Sequence, residues 1–530
     1  MITALYIIIG LLALANLRIE LSRVLMMFQQ NSYRADRFRR WISESGDSTN
    51  PWRLCGLLIF FATLVPRFPD TAAMILCGIF FISNYIHLRS KKYKKPLVMT
   101  SRAWRIMATA FFVAALIVAV ALILFDGGLL HRLFVATATL LGCYCGSLIL
   151  IVVANTLLTP VEKHITDRYI NDAKARLADM PDLKIIGITG SYGKTTTKHY
   201  LHRILSEKYE TLMTPGSFNT PMGVVRTVRE QLKPYHEVFI VEMGAKQTGD
   251  IDEICRIANP QAGIITAVGP QHLESFKTIE NVQATKFELV DALPSNGIAL
   301  VNNDFEKIAD RPVSNVRCRR YAVKNTKDAD YTARNVEYSR TGTHFTMVCP
   351  DGTEIALETR LVGECNVSNI LGAAAMAREM GVGDDRIRYA VSQLEQVEHR
   401  LSIKHIPGGY TIIDDAFNSN PVGSAMALDV LASMKPGKRI LITPGMIELG
   451  EREAELNAAF GEKAAASCDV AIVVGRYNRE AITEGLRRGG MPENAIHTPE
   501  TFADAQLLLR TIAAAGDTVL YENDLPDTFK

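Results

Sequence analysis

A short stretch in the middle of the chain, GITGSYGKTTTKHYL from Gly187 to Leu201, combines residue types that hold phosphate groups. The residues before its loop predict a strand (184–189), and those after it predict a helix (195–207). Glycines between the two let backbone N–H groups and the helix N-terminus face an anion, while Lys-Thr supplies a positive charge and a hydroxyl suited to Mg²⁺. A tight turn alone would need the glycines but not Lys-Thr. The predicted phosphate site comprises Gly190, Ser191, Gly193, Lys194, Thr195 and Thr196.

The loop is shorter than the common phosphate-binding pattern, in which a glycine and any four residues precede Gly-Lys-Ser/Thr. Five positions before Gly193 stands Ile188. The shortened form, GITGSYGKTTT, resembles the loop of the Mur ligase superfamily, ATP-dependent enzymes that join amino acids or peptides to cell-wall precursors. The resemblance extends from Leu183 to the C-terminus and does not cover the first 160 residues. It implies ATP and Mg²⁺ as cofactors.

Further stretches match the superfamily in its own order. VEMGAKQTGDI is similar to a segment with a magnesium-binding glutamate, here Glu242, and GPQHLESFKTIENVQATKFEL to one with a magnesium-binding histidine, His272, and a carbamylated lysine, Lys286. The resemblance implies metal binding by Thr195, Glu242, His272 and Lys286, and catalytic roles for Lys194, His272 and Lys286. Glu242 and His272 are expected at the carboxyl ends of adjacent strands. Taken alone, Glu242 could be a solvated acid, His272 a helix-capping or core residue, and Lys286 a surface lysine.

Three stretches nearer the C-terminus resemble segments that hold the nucleotide. VGECNVSNILGAAAMA matches a motif whose asparagines lie near adenine, HRLS offers an arginine, and DDAFNSNP matches a motif that brings the C-terminal domain over the nucleotide. The resemblance implies nucleotide binding by Asn366, Asn369, Arg400, Asp415, Asn418 and Asn420. Alternatively, the first two asparagines cap the alanine-rich helix that follows, and the aspartates are plain turn residues.

Within the superfamily, DDAFNSNP and MIELGEREAEL most resemble the D-alanyl-D-alanine-adding branch. Four departures separate this chain from that branch: Phe417 replaces a tyrosine, Cys365 replaces a histidine, TPGM (443–446) replaces Gly-Asp-Met, and ENDLPD (522–527) replaces Lys-Gly-Ser. The usual uridine-binding domain is missing, and apolar runs occupy its place. We therefore expect a nucleotide- or lipid-linked cell-wall precursor as acceptor and an amino acid or dipeptide as the incoming amine.

The first 160 residues contain apolar runs that begin at Ile2, Leu54, Thr71, Trp104 and Leu133. The last two exceed the roughly 20 residues that cross a bilayer core, and we predict about five transmembrane helices, with four as the fallback. A signal peptide fits less well, because no small-residue cleavage site follows the first run. Basic residues in 18–41 and 89–95 favour the cytoplasmic side. We therefore expect a multi-pass protein of the bacterial inner membrane, with Met1 outside and the residues after Pro160 in the cytosol.

From Leu183 onward, short apolar strands alternate with amphipathic helices, which is typical of a parallel sheet covered by helices. The predicted strands are LKIIGIT, EVFIVEM, AGIITAV and GIALVNN in a first series, and GYTIIDD, KRILITP, CDVAIVVG and DTVLYEN in a second. The predicted domains are an α-helical membrane domain (1–160), a linker helix (161–182), an α/β P-loop ligase domain (183–399) and a Rossmann-like C-terminal ligase domain (400–530).

The predicted function is an ATP-dependent amide ligase that activates a carboxylate as an acyl phosphate, because a free carboxylate is a poor acylating agent. A poly-γ-glutamate synthase-like ligase, an ATP-driven membrane transporter and an inactive scaffold are the alternatives. A net charge of +2 gives no reason to expect a nucleic-acid partner. Nine cysteines without a CxxC pair suggest neither a zinc site nor a disulfide framework.

Overall fold

The computed structural model describes residues 2–65, 68–91, 93, 95–338, 342–406, 409–417, 419–434 and 436–524. The chain divides into two compact units, one formed by residues up to Asp167 and the other by Arg168–Asp524. The first unit is helical, and the second contains two β-sheets with helices packed on them. All nine cysteines are free.

Among the described residues, seven α-helices lie before residue 179, and most of them are apolar. They are α1 (Ile2–Gln30), α2 (Ala35–Glu44), α3 (Pro51–Thr63), α4 (Asp70–Ser90), α5 (Ser101–Leu124), α6 (Leu129–Cys145) and α7 (Ser147–Ala178), with a 3₁₀ turn at Asp47–Thr49. Within the described residues, four of them, α1, α4, α5 and α7, are long and apolar enough to cross a membrane.

The prediction of five spans needs correction at two of the five runs. The run from Leu54 lies in α3, whose 13 residues extend over about 20 Å, less than the hydrocarbon core of about 30 Å. The run from Leu133 is divided at Gly146 between α6 and α7. The basic segment 18–41, which was expected to be a loop, begins inside α1, because that helix continues to Gln30. The number of sufficiently long helices therefore agrees with the fallback of four.

A buried network of charges joins the helices of the first unit near the end of α6. Arg53 donates to Cys145 O and to Glu20 Oε1, both at 2.7 Å. Arg23 pairs with Glu20 at 2.7 Å and with Asp47 at 2.8 Å. None of the four charged side chains is more than 9% exposed. Each arginine thus has carboxylate partners inside the unit, and the backbone carbonyl at the end of α6 is satisfied by Arg53.

The central sheet of the second unit has the strand order β2-β3-β1-β4-β5-β6-β7-β8-β9. Its strands are β1 (Lys184–Thr189), β2 (Thr211–Met213), β3 (Val238–Glu242), β4 (Ala262–Ile265), β5 (Ile298–Asn302), β6 (Arg317–Ala322), β7 (Tyr331–Tyr338), β8 (Thr343–Val348) and β9 (Glu354–Thr359). Its helices are α8 (Lys194–Leu205), α9 (Pro221–Glu230), α10 (Asp250–Ala258), α11 (Leu273–Phe276), α12 (Ile279–Asp291), α13 (Glu306–Ala309), α14 (Glu364–Glu379) and α15 (Asp384–Ser392). Neighbouring strands from β2 to β7 are parallel, and β7, β8 and β9 are antiparallel.

The C-terminal sheet has the order β10-β11-β15-β12-β13-β14 and is parallel except for β10. Its strands are β10 (Ser402–His405), β11 (Thr411–Asp415), β12 (Arg439–Thr443), β13 (Val470–Val473), β14 (Ile496–His497) and β15 (Thr518–Glu522). Its helices are α16 (Pro421–Ser433), α17 (Glu453–Ser467), α18 (Arg479–Arg488) and α19 (Phe502–Ile512), with 3₁₀ turns at Gly450–Arg452 and Glu493–Ala495.

The α/β architecture predicted from the sequence is confirmed in both sheets. Each of the eight predicted apolar runs contains a strand, namely β1, β3, β4, β5, β11, β12, β13 and β15. The antiparallel addition of β8 and β9 to β7 was not predicted, because β8 and β9 bury one face only. In β9, for example, exposed and buried residues alternate from Glu354 to Thr359. β3, β1 and β4 are neighbours inside the central sheet, and the predicted phosphate loop lies at their carboxyl ends.

Candidate active site

The loop after β1 has a backbone that requires glycine at two positions. Gly193, with φ of 81°, lies in the left-handed region at the N-cap of α8, and a Cβ there would stand 2.5 Å from an asparagine oxygen of α14. A Cβ on Gly190 would stand 2.1 Å from Thr266 Oγ1. Ser191 Oγ donates to Gly269 O at 3.1 Å, which ties the loop to the residues after β4. The loop therefore closes tightly around the N-terminus of α8, where N–H groups without intrahelical partners attract anions.

Lys194, the first residue of α8, bends back over this loop. Its Nζ donates to Gly190 O at 2.6 Å. No carboxylate in the described part of the chain forms an ion pair with it. Burial lowers the pKa of Lys194 to about 8, an effect that Glu242 opposes and Arg400 reinforces. The ammonium group is thus held beside the phosphate loop without a carboxylate that neutralises it.

Glu242 ends β3 and is the centre of a compact polar group. Its side chain is 1% exposed. Oε1 accepts from Thr195 Oγ1 at 3.1 Å and from Asn219 Nδ2 at 3.0 Å, and Oε2 lies 3.0 Å from Lys198 Nζ. Burial alone would raise the pKa of Glu242, but Lys198 and Lys194 outweigh burial and lower it. The residue is therefore an ionised, buried carboxylate and not the solvated strand-end acid of the alternative interpretation.

Thr195 and Glu242 fit a magnesium ion held together with phosphates. Both present hard oxygen atoms, and Mg²⁺ usually keeps several waters and binds one or two carboxylates plus substrate phosphates. Groups of three or more His, Cys, Asp or Glu side chains arranged around a metal are not found among the described residues. A metal beside Thr195 and Glu242 would therefore be bound by few protein groups, and phosphate oxygens of the bound substrate would supply further ligands.

His272 contacts different residues. It lies at the N-cap of the short helix α11, and its Nδ1 is hydrogen-bonded to Glu448 of the C-terminal sheet domain. Burial lowers the pKa of His272, although Glu448 acts in the opposite direction. The expectation that Glu242 and His272 follow adjacent strands is wrong, because β1 lies between β3 and β4. The two residues follow strands on either side of the phosphate loop.

Lys286 lies on α12 and is 1% exposed. Its Nζ stands 5.9 Å from the centroid of the Phe276 ring, and no carboxylate in the described residues forms an ion pair with it. Burial and, to a smaller extent, the charge of Lys194 lower the pKa of Lys286 to about 7. The alternative of a surface lysine is therefore wrong, and the amine is neutral in a large fraction of molecules near neutral pH.

One pocket brings together seven of the residues predicted to bind the nucleotide. Its lining includes Gly193, Thr196, Asn366, Asn369, Arg400, Asp415 and Asn420, together with Tyr192, Phe305 and Met426. Arg400 Nη2 donates to Thr195 Oγ1 at 3.3 Å, so the C-terminal domain reaches the start of α8. The Arg400 guanidinium also stacks 4.1 Å from the ring of Phe417. Asn418 lies outside the described residues.

The polar residues of this pocket already have local partners. Asn366 and Asn369 lie inside α14 and accept from Tyr200 Oη at 2.8 Å and Thr197 Oγ1 at 3.2 Å. They do not cap α14, whose N-cap is glycine. Asp415 Oδ1 accepts from Leu401 N at 3.0 Å. Asn420 caps α16 through Gly423 N at 2.8 Å. Burial raises the pKa of Asp415 to about 6.

The sequence analysis did not single out three residues that the structure places in these contacts, namely Lys198, Asn219 and Glu448. Lys198 could have been found, because three positions separate it from Thr195 and residues with that spacing share one face of a helix. Asn219 stands in TPGSFNTPMGV (214–224), which resembles the family's Asn-Thr-x-x-Gly segment, and the resemblance gave this asparagine no role. Glu448 stands in MIELGEREAEL, which resembles the adding branch, but its contact with His272 gives no local signal because the two residues are 176 positions apart.

Comparisons with known proteins agree on one family. The model of the Mur ligase middle domain matches residues 188–377, and that of the Mur ligase, glutamate ligase domain matches residues 399–521. The chain is 30% identical over 353 residues to UDP-N-acetylmuramoyl-tripeptide--D-alanyl-D-alanine ligase of Bacillus subtilis, a match that covers 66% of this chain and 75% of that protein. It is 32% identical over 303 residues to the ligase of the same name from Escherichia coli, covering 57% of this chain and 66% of that protein.

Solved structures of the same kind are similar in fold. MurF from Acinetobacter baumannii superimposes with a TM-score of 0.61 at 25% identity, over 68% of this chain and 77% of that one. MurF ligase from Thermotoga maritima, solved in complex with ADP, gives a TM-score of 0.61 at 25% identity, over 68% of this chain and 80% of that one.

Proposed function

This chain belongs to the Mur ligase family, and from that premise we propose that it is an ATP-dependent ligase that joins an amine to a carboxylate of a cell-wall precursor. Bound ATP with Mg²⁺ supplies the phosphoryl group that converts the carboxylate into an acyl phosphate, which the amine attacks. The observation that carries the proposal is the convergence of the glycine loop, Lys194 and the Thr195–Glu242 pair beside a pocket lined from both domains.

Each residue of this group has a proposed task. Lys194 and the N–H groups at the start of α8 hold the outer phosphates, because a buried cation and a helix N-terminus both stabilise negative charge. Thr195 and Glu242 hold Mg²⁺. Lys198 fixes the Glu242 carboxylate in place through its 3.0 Å ion pair. Arg400, delivered by the C-terminal domain, adds positive charge at the point where phosphoryl transfer occurs.

The other pocket residues are proposed to hold the nucleoside. Gly190 and Ser191 shape the loop, and Thr196 lies on the pocket wall with Asn366 and Asn369. Asp415 and Asn420 face the same pocket from the C-terminal domain, so a nucleotide between the two sheets would contact both.

Lys286 is proposed to carry a carbamate. A neutral amine adds to CO₂ through its lone pair, forms an N–C bond and releases one proton to solvent, so the reaction needs a lysine that is not permanently protonated. Burial with a pKa of about 7 meets that requirement. The carbamate would provide two oxygen atoms in place of one cation, and these could bind a second magnesium ion as the family resemblance implies.

The proposed acceptor is a muramoyl tripeptide and the proposed amine is D-alanyl-D-alanine. Two observations support this choice. The relatives from Bacillus subtilis and Escherichia coli are ligases named for these substrates. DDAFNSNP and MIELGEREAEL resemble the same branch of the family.

The first unit is proposed to lie in the bacterial cytoplasmic membrane. Its helices expose large apolar side chains that water would solvate poorly, among them Phe112, Ile123 and Leu124 of α5 with exposures of 70%, 77% and 71%. Basic residues in 89–95 favour the cytosolic side for that segment. If α1, α4, α5 and α7 are the crossings, two of them, α5 and α7, separate residues 89–95 from the catalytic unit, so both lie on the cytosolic side.

The test is phosphate release by the purified full-length protein in detergent, supplied with ATP, magnesium and D-alanyl-D-alanine. One arm contains UDP-muramoyl tripeptide and the other its lipid-linked counterpart. Turnover with the soluble nucleotide would make the first unit an anchor, whereas turnover only with the lipid-linked acceptor would make it part of substrate binding. Absence of turnover with both acceptors would contradict the proposed substrates.

A further inference from the structure

Glu448, on the connection between β12 and α17, contacts two segments of the central domain. Its Oε1 lies 2.9 Å from Lys246 Nζ, in the segment after β3. Its Oε2 is hydrogen-bonded to His272 Nδ1, in the segment after β4. Its carbonyl oxygen accepts from Glu274 N at 3.2 Å. Glu448 of the C-terminal domain thus contacts the segments after β3 and β4, the two strands that flank β1.

The backbone around this contact is unusual. Glu448 has φ of 63° and His272 has φ of 51°, both in the left-handed region that non-glycine residues rarely adopt. Two positions further on, a Cβ on Gly450 would stand 3.3 Å from Glu274 N, so the connection lies close against α11. Conformations of this kind persist where the surrounding structure holds them, and they are concentrated at functional sites.

The hydrogen bond to Nδ1 has a consequence for the rest of the imidazole ring. A histidine that donates Nδ1–H to a carboxylate has its Nε2 lone pair free and its ring orientation fixed. Carboxylates that hold metal-binding histidines in this way affect metal affinity or activity by about 10- to 100-fold. The side chain that sets this state of His272 belongs to the other domain.

We propose that Glu448 is a positioning residue that completes the metal site when the C-terminal domain docks on the central domain. Its carboxylate fixes the His272 ring with Nε2 available to the magnesium of the bound nucleotide, while Lys246 holds the second carboxylate oxygen. The metal is then bound in full only in the closed arrangement. This inference rests on the proposed ATP-dependent function and on the family resemblance, which implies that His272 is a magnesium ligand, and it assigns a role to a residue for which that resemblance gave none.

The experiment uses Mn²⁺ in place of Mg²⁺, with ADP and full-length protein labelled with ¹⁵N-histidine. Electron paramagnetic resonance gives the affinity for Mn²⁺, and electron-nuclear double resonance detects a histidine nitrogen bound to it. We expect a nitrogen coupling in the wild type. In Glu448→Gln we expect the coupling to weaken or disappear and the affinity for Mn²⁺ to fall about 10-fold. Glu451→Gln, an exposed carboxylate on the same connection, is the matched control and should behave as wild type.

A second variant distinguishes positioning of the His272 ring from a general contribution to the contact between the two domains. Lys246→Met removes the ion pair to Glu448 but leaves the bond to His272, so the nitrogen coupling should persist. Equal loss of the coupling in Lys246→Met and Glu448→Gln would overturn the inference, and so would an unchanged coupling in Glu448→Gln. A wild-type protein that binds Mn²⁺ with ADP but shows no histidine coupling would overturn it too, while leaving the proposed function intact. No ADP-dependent Mn²⁺ binding in the wild type would overturn both.

Discussion

The arginines of the network in the first unit and two lysines of the second unit, Lys194 and Lys286, differ in their charged partners. In the first unit, Arg23 and Arg53 are each paired with carboxylates, and the four charged groups of that network neutralise one another. In the second unit, half-buried Lys194 and buried Lys286 have no carboxylate ion pair among the described residues. Burial lowers the pKa of Lys194 to about 8 and that of Lys286 to about 7.

The difference separates a structural role from a functional one. A buried ion-pair network with all partners present holds helices in register, and loss of one partner leaves an uncompensated charge. Buried cations without carboxylates are unfavourable until an anion arrives, and such perturbed groups are concentrated at functional sites. We therefore expect substitutions in the first network to affect stability and substitutions of the unpaired lysines to affect activity.

The largest expected effect is on catalysis and follows from Lys194→Ala. Loss of a preorganised positive charge at the transferring phosphoryl group should lower kcat by about 10²- to 10³-fold. Thermal stability should change little, because Lys194 is half-buried and has no carboxylate partner to leave behind. Steady-state phosphate release and thermal unfolding measure the two quantities. Lys233→Ala, an exposed lysine, is the control. Retention of wild-type turnover in Lys194→Ala would show that the loop does not hold the transferred phosphate.

For Arg53→Ala in the first unit, we expect a loss of stability. The substitution leaves Glu20 and Asp47 with fewer partners and frees the Cys145 carbonyl, and breaking a buried pair in this way destabilises a protein by about 3–5 kcal/mol. Unfolding of the detergent-solubilised protein measures the loss. Arg18→Ala, an exposed arginine of the same helical unit, should change stability by less than about 0.5 kcal/mol. Similar stabilities for the two variants would mean that the network does not support the fold.

A smaller effect on activity is expected for Lys286→Ala, because it removes the proposed carbamate and not the phosphate loop. We expect turnover to fall about 100-fold and to recover partly when a short carboxylic acid such as acetate is added. Lys327→Ala, an exposed lysine, should need no rescue. Full activity of Lys286→Ala without any added acid would eliminate the carbamate.

The smallest effect concerns a carboxylate pair in the C-terminal sheet. Asp415 and Glu522 are partners across β11 and β15, and Glu522 is 1% exposed. Burial, followed by the charge of Asp415, raises the pKa of Glu522 well above its usual value. A carboxyl group with a raised folded-state pKa loses stabilisation as pH rises above its unfolded value near 4, until the folded pKa is passed. Stability should therefore decline as the pH rises above about 4, until the raised folded-state pKa of Glu522 is passed.

Glu522→Gln should reduce that decline and stabilise the protein at pH 8, because the neutral amide removes the cost of burying a charged carboxylate beside Asp415. Thermal unfolding across the pH range measures it. Glu455→Gln, an exposed residue of α17, is the control. If the stability of Glu522→Gln depends on pH as that of the wild type does, burial of Asp415 and Glu522 side by side does not destabilise the protein.

The part of the fold that could be predicted from the sequence is the part with buried, continuous apolar strands. β1, β3 and β4 are fully or almost fully buried over their length, so their composition alone marks them. β8 and β9 alternate between buried and exposed residues and lie at the edge of the sheet, where the pattern is weaker. The division at Gly146 was missed because both helices beside it are apolar, and hydropathy does not register a break between them.

The site was predictable where its residues are contiguous in the sequence. The loop from Gly190 to Thr196 was found from its glycines and its Lys-Thr pair. Its partners Glu242 and Lys286 came from family resemblance, and their burial could not be read from sequence. Glu448 was missed because only the docking of two sheets brings it to His272. Contacts between distant segments depend on the tertiary fold and leave no local pattern.

The measurement that tests the central claim most directly is phosphate release from ATP and magnesium by the full-length protein, with the muramoyl acceptor and the amine omitted in turn. If the unpaired lysines form a site for activating a carboxylate, release requires the acceptor and the amine together and is lost in Lys194→Ala. Release that continues at the same rate when either the acceptor or the amine is omitted would contradict the account.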